Sequence, residues 1–349
     1  MSVQHIQEIG INNFKCFTKF ELNQLSRVNL IGGQNNVGKT ALLEAIELLA
    51  NSNKSFDLLS QIHKMLKRRQ ADSKQEFVEI DFMSDDSQSV IIKSKTKKCE
   101  IKVADEENTE YEADEFNELM QEDPSNYYLT FSVNSDKKNV SAERLMSTKS
   151  FLKFTGQAKA RQSRSHFIHS SKMNEKNISI LYGSLIDLNK ESFLNTSLSS
   201  FDSNLLSLKQ KASSNRIILK VQLKDKKYPV LLSSLGDGIN RYIAIICAIW
   251  ASENGILLID EIENGIHYSN YSKLWELIFS VSKEANCQIF VTSHSKECIE
   301  AFNKVQIEKT EGLYLELYRN LKTLLVTASS RNAEQLQYAL THKGDVRGE

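Results

Sequence analysis

Residues 28–40 read Val28-Asn29-Leu30-Ile31-Gly32-Gly33-Gln34-Asn35-Asn36-Val37-Gly38-Lys39-Thr40. A short apolar run ends in a glycine-rich turn, and Gly33 to Thr40 matches the pattern G-x-x-x-x-G-K-[ST]. After it, Leu42, Leu43, Ile46, Leu48 and Leu49 recur at near-helical spacing. Strand, phosphate loop and helix therefore follow one another as that pattern requires. The glycines let backbone N–H groups wrap phosphates, and the helix N-terminus adds its positive end. Gly33, Asn35, Asn36, Val37, Gly38, Lys39, Thr40 and Ala41 are the expected nucleotide contacts. Lys39 reaches the β and γ phosphates, and Thr40 ligates Mg²⁺.

Upstream, Ile6 to Ile11 and Phe17 to Leu22 alternate as half-buried strands. Downstream, residues 76–83 and 89–103 read as further strands and 110–121 as a helix. From about 124 to 212 the pattern weakens into Ser-, Asn- and Lys-rich stretches with intermittent apolar spacing, as in Leu181 to Leu188 and Leu198 to Leu208. The expectation there is a mostly helical inserted lobe. Periodicity returns in strand-like Ile217 to Leu223 and in a helix over 237–250. Ile256 to Ile259 and Ile289 to Thr292 are continuous apolar runs, as parallel strands buried on both faces should be, joined by a crossover helix over 269–285. The expected fold class is α/β, a mixed sheet with a P-loop. The chain divides into 1–123 and 213–349 as two parts of one core, with 124–212 as the insertion.

Ile256 to Ile259 deliver Asp260 and Glu261 to the carboxyl edge of the sheet, where open α/β sheets bind ligands. Asp260 is placed to hold Mg²⁺ and Glu261 to act as general base on water. Phe290-Val291-Thr292-Ser293-His294 sets a histidine just past the neighbouring strand, within reach of a γ-phosphate. Ser234-Leu235-Gly236-Asp237-Gly238 opens the helix at 237–250. One reading is a Ser/Gly helix cap, which Asp237 can also supply; the other is a loop whose hydroxyl, N–H groups and helix terminus suit a phosphate held by another subunit.

Bulk properties add limits. At 349 residues the chain suits one core with a sizeable insertion, or two domains. Its formal net charge is zero, so global charge selects no partner. Cys16, Cys99, Cys247, Cys287 and Cys298 are scattered without CxxC spacing, which argues against a disulfide framework or zinc site and for a reducing compartment. Apolar runs such as Ile243 to Trp250 are too short for a bilayer and no leader opens the chain, so a cytoplasmic protein is expected. Charge is locally uneven: residues 104–123 hold ten acids and no base, whereas 149–176 hold seven bases against Glu175. Solvated faces account for both blocks, and a DNA contact by the basic one is the sharper alternative.

The order of P-loop, insertion, Ser-x-Gly, Asp-Glu, then Glu263-Asn264-Gly265-Ile266-His267 as a D-loop, then Thr-Ser-His, resembles the ABC ATPase superfamily. Within it, Ser-Leu-Gly-Asp-Gly, Asp-Glu-Ile-Glu-Asn-Gly-Ile-His and the opening "IGINNFKCF" are similar to the AAA15-type and OLD-like (overcoming lysogenisation defect) ATPases. The likeness covers residues 1–50 and 215–310. It implies a head-to-head homodimer with ATP and Mg²⁺ sandwiched, each ATP touched by Lys39, Glu261 and His294 of one subunit. Ser234, Gly236, Asp237 and Gly238 of the other subunit close the site, and the D-loop residues Asn264, Gly265 and His267 lie beside it. Gln70, Gln75, Gln157 and Gln162 compete for the Q-loop. OLD nucleases carry a TOPRIM domain after the ATPase. Only 55 residues follow His294, without an acidic metal cluster after a buried strand. The resemblance to the ATPase halves of PARIS, AbiL and Septu systems implies a regulator of anti-phage defence acting on a separate nuclease effector. The alternative is a DNA-binding repair or structural ATPase related to SMC proteins, and a transporter motor is disfavoured by the unusual signature.

Overall fold

The computed structural model describes residues 5–69, 89–104, 128–141, 165–213, 216–309 and 311–342. Alternating apolar positions pair β1 (Ile9–Phe14) with β2 (Phe17–Leu22) as a hairpin, Ile9 opposite Leu22 and Phe14 opposite Phe17. The phosphate-loop strand β3 (Val28–Gly33) follows, then α1 (Lys39–Asn51) and α2 (Ser55–Arg69). β4 (Ser89–Lys93), β5 (Lys98–Ala104), β6 (Tyr128–Val133) and β7 (Asp136–Ser141) extend the hairpin into an antiparallel sheet ordered β2-β1-β4-β5-β6-β7. The run 89–103 read as one strand is thus two, reversed at Ser94, whose N–H donates to Lys97 O at 2.7 Å.

After β8 (Ser165–Ile168) come α3 (Glu175–Asp187), α4 (Glu191–Phe201), β9 (Leu205–Ser213), β10 (Arg216–Leu223) and β11 (Val230–Leu231). Then follow α5 (Asp237–Ala251), β12 (Ile256–Ile259), α6 (Tyr271–Glu284), β13 (Gln288–Thr292) and α7 (Lys296–Lys309). β14 (Gly312–Arg319), β15 (Val326–Arg331) and α8 (Ala333–Thr341) complete the chain as described. The central sheet is ordered β15-β14-β3-β13-β12-β8. Its strands run parallel except β15, which is antiparallel at one edge. A third sheet is ordered β11-β10-β9.

Period-two alternation explains the two cores. Val28, Leu30, Leu257, Ile259, Ile289 and Val291 point into one cluster with α3 to α6 and the inner face of β9 and β10. Ile31, Ile256, Leu258 and Phe290 point into the other, with α1, α2 and the antiparallel sheet. The central strands β3, β12 and β13 are therefore buried on both faces, as the apolar runs in them require.

The expectation of a mostly helical lobe at 124–212 is corrected. Among its described residues, β6 and β7 belong to the antiparallel sheet and β8 to the central one, and only α3 and α4 are helices. The spacing of Leu198 to Leu208 is broken at Asp202, whose Oδ1 accepts from Asn204 N at 2.9 Å, a turn that ends α4 and starts β9. The strand read at 76–83, the helix read at 110–121, the acidic block beyond 104 and residues 149–164 lie outside the described residues. No described helix is long and apolar enough to cross a membrane.

Candidate functional site

β3 delivers Gly33 with φ 131° and Asn36 and Gly38 with φ 61° and 97°, so the turn wraps back before α1 begins at Lys39. A Cβ at Gly33 would lie 2.2 Å from Leu317 O on β14, so that position admits only glycine. Lys39 is buried, and its Nζ donates to Gly33 O at 2.7 Å and Gln34 O at 2.6 Å. Burial pulls its pKa down to about 8, against the upward pull of Glu263, Asp260 and Glu261. A desolvated ammonium held among carbonyl dipoles, with carboxylates nearby but none bonded to it, suits an incoming anion. Asn35 is exposed, Val37 is buried against the loop, and Ala41 lies in the core face of α1.

β12 and β13 run side by side, which aligns their carboxyl ends. Asp260 Oδ2 accepts from Thr40 Oγ1 at 3.0 Å and Oδ1 accepts from Thr292 Oγ1 at 2.6 Å. Burial raises the Asp260 pKa, partly offset by those two hydroxyls. Hydroxyl and carboxylate oxygens meeting beside the phosphate loop form the hard donor set that Mg²⁺ prefers, so Thr40 and Asp260 fit a Mg-nucleotide. Glu261 follows in the left-handed region, φ 49°, a conformation costly for a residue with a Cβ. Its N–H donates to Thr292 Oγ1 at 2.8 Å, its Oε2 accepts from Asn264 Nδ2 at 2.7 Å, and its Oε1 lies 3.5 Å from His294 Nε2. Glu263 Oε1 accepts from His294 N at 2.5 Å and ties the two loops together.

Sequence reasoning missed Arg241. From the first turns of α5 its buried guanidinium donates through Nη2 to Asp260 O at 2.6 Å and Glu261 O at 2.8 Å, and through Nη1 to His169 O at 2.9 Å. It fixes the peptide that turns Glu261 into its unusual conformation. An arginine one turn into an apolar helix, just after a Ser-x-Gly cap, was the available signal. His169 and Ser170 were also unmarked. They follow β8, the strand beside β12, where burial lowers the His169 pKa to about 4 and Ser170 O accepts from Asn264 Nδ2 at 3.2 Å. Gln70, Gln75, Gln157 and Gln162 lie outside the described residues.

The Ser234 to Gly238 turn stands apart. Ser234 Oγ donates to Leu231 O at 2.7 Å, and among the described residues it bonds to none of Lys39, Thr40, Asp260 or Glu261. Ser234, Gly236 and Asp237 are exposed, Asp237 pairing with Lys172 at 2.6 Å. The turn contacts the D-loop instead: a Cβ at Gly238 would lie 2.5 Å from Gly265 O. Gly265 has φ 76°, and exposed His267 caps the short turn that leads to α6.

Three comparisons bear on this geometry. The chain is 26% identical over 332 residues to an ATP/GTP phosphatase of Helicobacter pylori (strain ATCC 700392 / 26695), covering 87% of this chain and 89% of that protein. Its fold is similar to an SMC head bound to the C-winged helix domain of ScpA, TM-score 0.53 and 10% identity over 95% of this chain and 99% of that one. It is likewise similar to an Smc head with an extended coiled coil bound to the C-terminal domain of ScpA derived from Pyrococcus furiosus, TM-score 0.50 and 9% identity, covering 97% and 99%. A sequence model of one family matches residues 28–300, from the P-loop strand through β12 and β13. The chain belongs to that family, described as "AAA domain, putative AbiEii toxin, Type IV TA system", and is an AAA-family P-loop ATPase domain.

Proposed function

We propose that this protein binds ATP with Mg²⁺ and hydrolyses it at composite sites between two copies of the chain. The observation that carries this reading is the convergence of Thr40, Asp260 and Thr292 beside Lys39, with Glu261 held next to them by Asn264 and Arg241. Bound Mg²⁺ supplies charge neutralisation at the transferred phosphoryl group. Lys39 holds the β and γ phosphates, exchanging its carbonyl partners for phosphate oxygens. Glu261 would accept the proton of the attacking water, one oxygen fixed by Asn264, and His294, whose Nε2 lies 3.5 Å from the other, would hydrogen-bond the γ-phosphate. Ser234 and the open N-terminus of α5 at Gly236, exposed and with no hydrogen bond to the chain's own Lys39 among the described residues, fit the phosphate of ATP held by a second copy.

Glu261→Gln is expected to bind ATP and lower turnover by about 10²-fold or more, stalling in the closed dimer. Lys39→Ala should lose binding or turnover, and Ser234→Arg should lose ATP-dependent dimerisation while binding persists. Turnover at the wild-type rate in Glu261→Gln would overturn the general-base assignment.

The family's toxin–antitoxin description supports a further step: the ATPase cycle regulates a separate effector, a nuclease in a PARIS-, AbiL- or Septu-like anti-phage system. A pull-down of Glu261→Gln with Mg-ATP from its host tests this, and recovery of a nuclease-like neighbour supports it. Recovery of DNA without a stoichiometric protein partner would favour a repair or structural ATPase instead.

A further inference from the structure

Residues 205–231, which build the third sheet, hold seven basic side chains and one acid, Asp225. The inner face of this sheet is apolar: Leu205, Leu208, Leu219, Val221 and Leu223 are buried against α3 and α4. Alternation then places Ile218 and Lys220 on the outer face. The register sets Lys209 directly opposite Lys220 and Lys211 opposite Ile218, with Leu231 on the other flank of Lys220. Like charges directly opposite in an antiparallel pair are destabilising. Among the described residues, none of Lys209, Lys211 or Lys220 has an ion pair, nor do Lys224, Lys226 and Lys227 on the connecting turn. On the same turn Tyr228 is 70% exposed, with Lys227 Nζ 5.4 Å from its ring centroid.

We infer that the outer face of β9 and β10, with the Lys224 to Tyr228 turn, binds the sugar-phosphate backbone of a nucleic acid. One two-residue step of ~7 Å separates Lys209 from Lys211 on β9, and Lys220 sits across from Lys209, so the face presents a short row of three cations. A continuous polyanion neutralises such a row without a matching side-chain pattern of its own. The exposed tyrosine beside a lysine adds a stacking platform for an unpaired base, which favours a single strand. This face uses none of the residues of the basic block at 149–176.

The test is fluorescence anisotropy of a labelled oligothymidylate and of a mixed-sequence duplex with the full chain, titrated over salt concentration. Binding by the wild type is expected, tighter to the single strand, with affinity falling steeply as salt rises. Lys209→Gln combined with Lys220→Gln should weaken binding about tenfold or more at low salt and flatten the log–log salt slope by about 1.4 for two lost single-strand phosphate contacts. Basal ATPase activity should be unchanged and thermal stability at low salt equal or higher, because the variant relieves a like-charge pair. Lys39→Ala should bind the oligonucleotide normally, which separates failure of this proposal from failure of the ATPase reading. Absence of binding by the wild type, or unaltered affinity and slope in the double variant, would overturn the proposal. Equal displacement of the oligonucleotide by polyglutamate of matched charge would overturn it too, and would reassign the face to an acidic protein.

Discussion

Arg241 donates from one buried guanidinium to three backbone carbonyls, and two of them flank the peptide that aims Glu261. Arg241→Met keeps the bulk and removes the donors. A buried acceptor left unsatisfied costs about 1–3 kcal/mol, so a clear fall in melting temperature is expected. Turnover should fall further than ATP affinity, because Lys39 and the phosphate loop are untouched. Arg241→Lys should recover part of the stability without the turnover, since one ammonium cannot reproduce the fork. Lys39 carries a second consequence. Its folded pKa, about 8, lies below the ordinary lysine value, so the folded chain gives up this proton first and stability improves as pH rises from about 8 to the unfolded value. Phosphates favour the ammonium. ATP affinity should therefore fall by up to about tenfold per pH unit above 8, and calorimetry near about pH 9 should show uptake of close to one proton that is absent at neutral pH. Lys39, Thr40, Asp260 and Glu261 were legible because fixed spacings tie them to a strand end. Arg241 was not, because its partners are main-chain atoms far along the chain, and main-chain atoms leave no mark in a sequence.

Between elements, the start of α5 and the D-loop touch backbone to backbone at Gly238 and Gly265. Gly238→Ala should force them apart, costing about 1–3 kcal/mol on urea unfolding and slowing turnover without weakening ATP binding at the P-loop. Gly236→Ala, whose Cβ would meet nothing within 4 Å, is the control and should leave stability almost unchanged. β3, α1, α5, β12 and β13 were readable because each is a complete periodic run with its own start or stop signal. β8 was not: Ser165-His166-Phe167-Ile168 is short and mixed, and only its pairing with β12 makes it a strand. β6 and β7 likewise owe their sheet to β5, a partner that local spacing cannot name.

At the scale of the molecule, the central sheet is assembled from distant parts of the chain. Val28 on β3 pairs with Ile289 on one side and Gly312 on the other, so the strand that opens the phosphate loop sits between two of the last strands. Contacts of such sequence separation slow folding. They also impose an order during synthesis. The hairpin β1–β2 can close as soon as it leaves the ribosome, but β3 has no partner for either edge until about 260 more residues have been made. At roughly 5–20 residues per second that wait is roughly 13–50 s. Throughout it, both edges of β3, with Val28, Leu30 and Ile31 uncovered, stand ready to pair with another nascent chain, so the nucleotide site cannot form until most of this protein has been made.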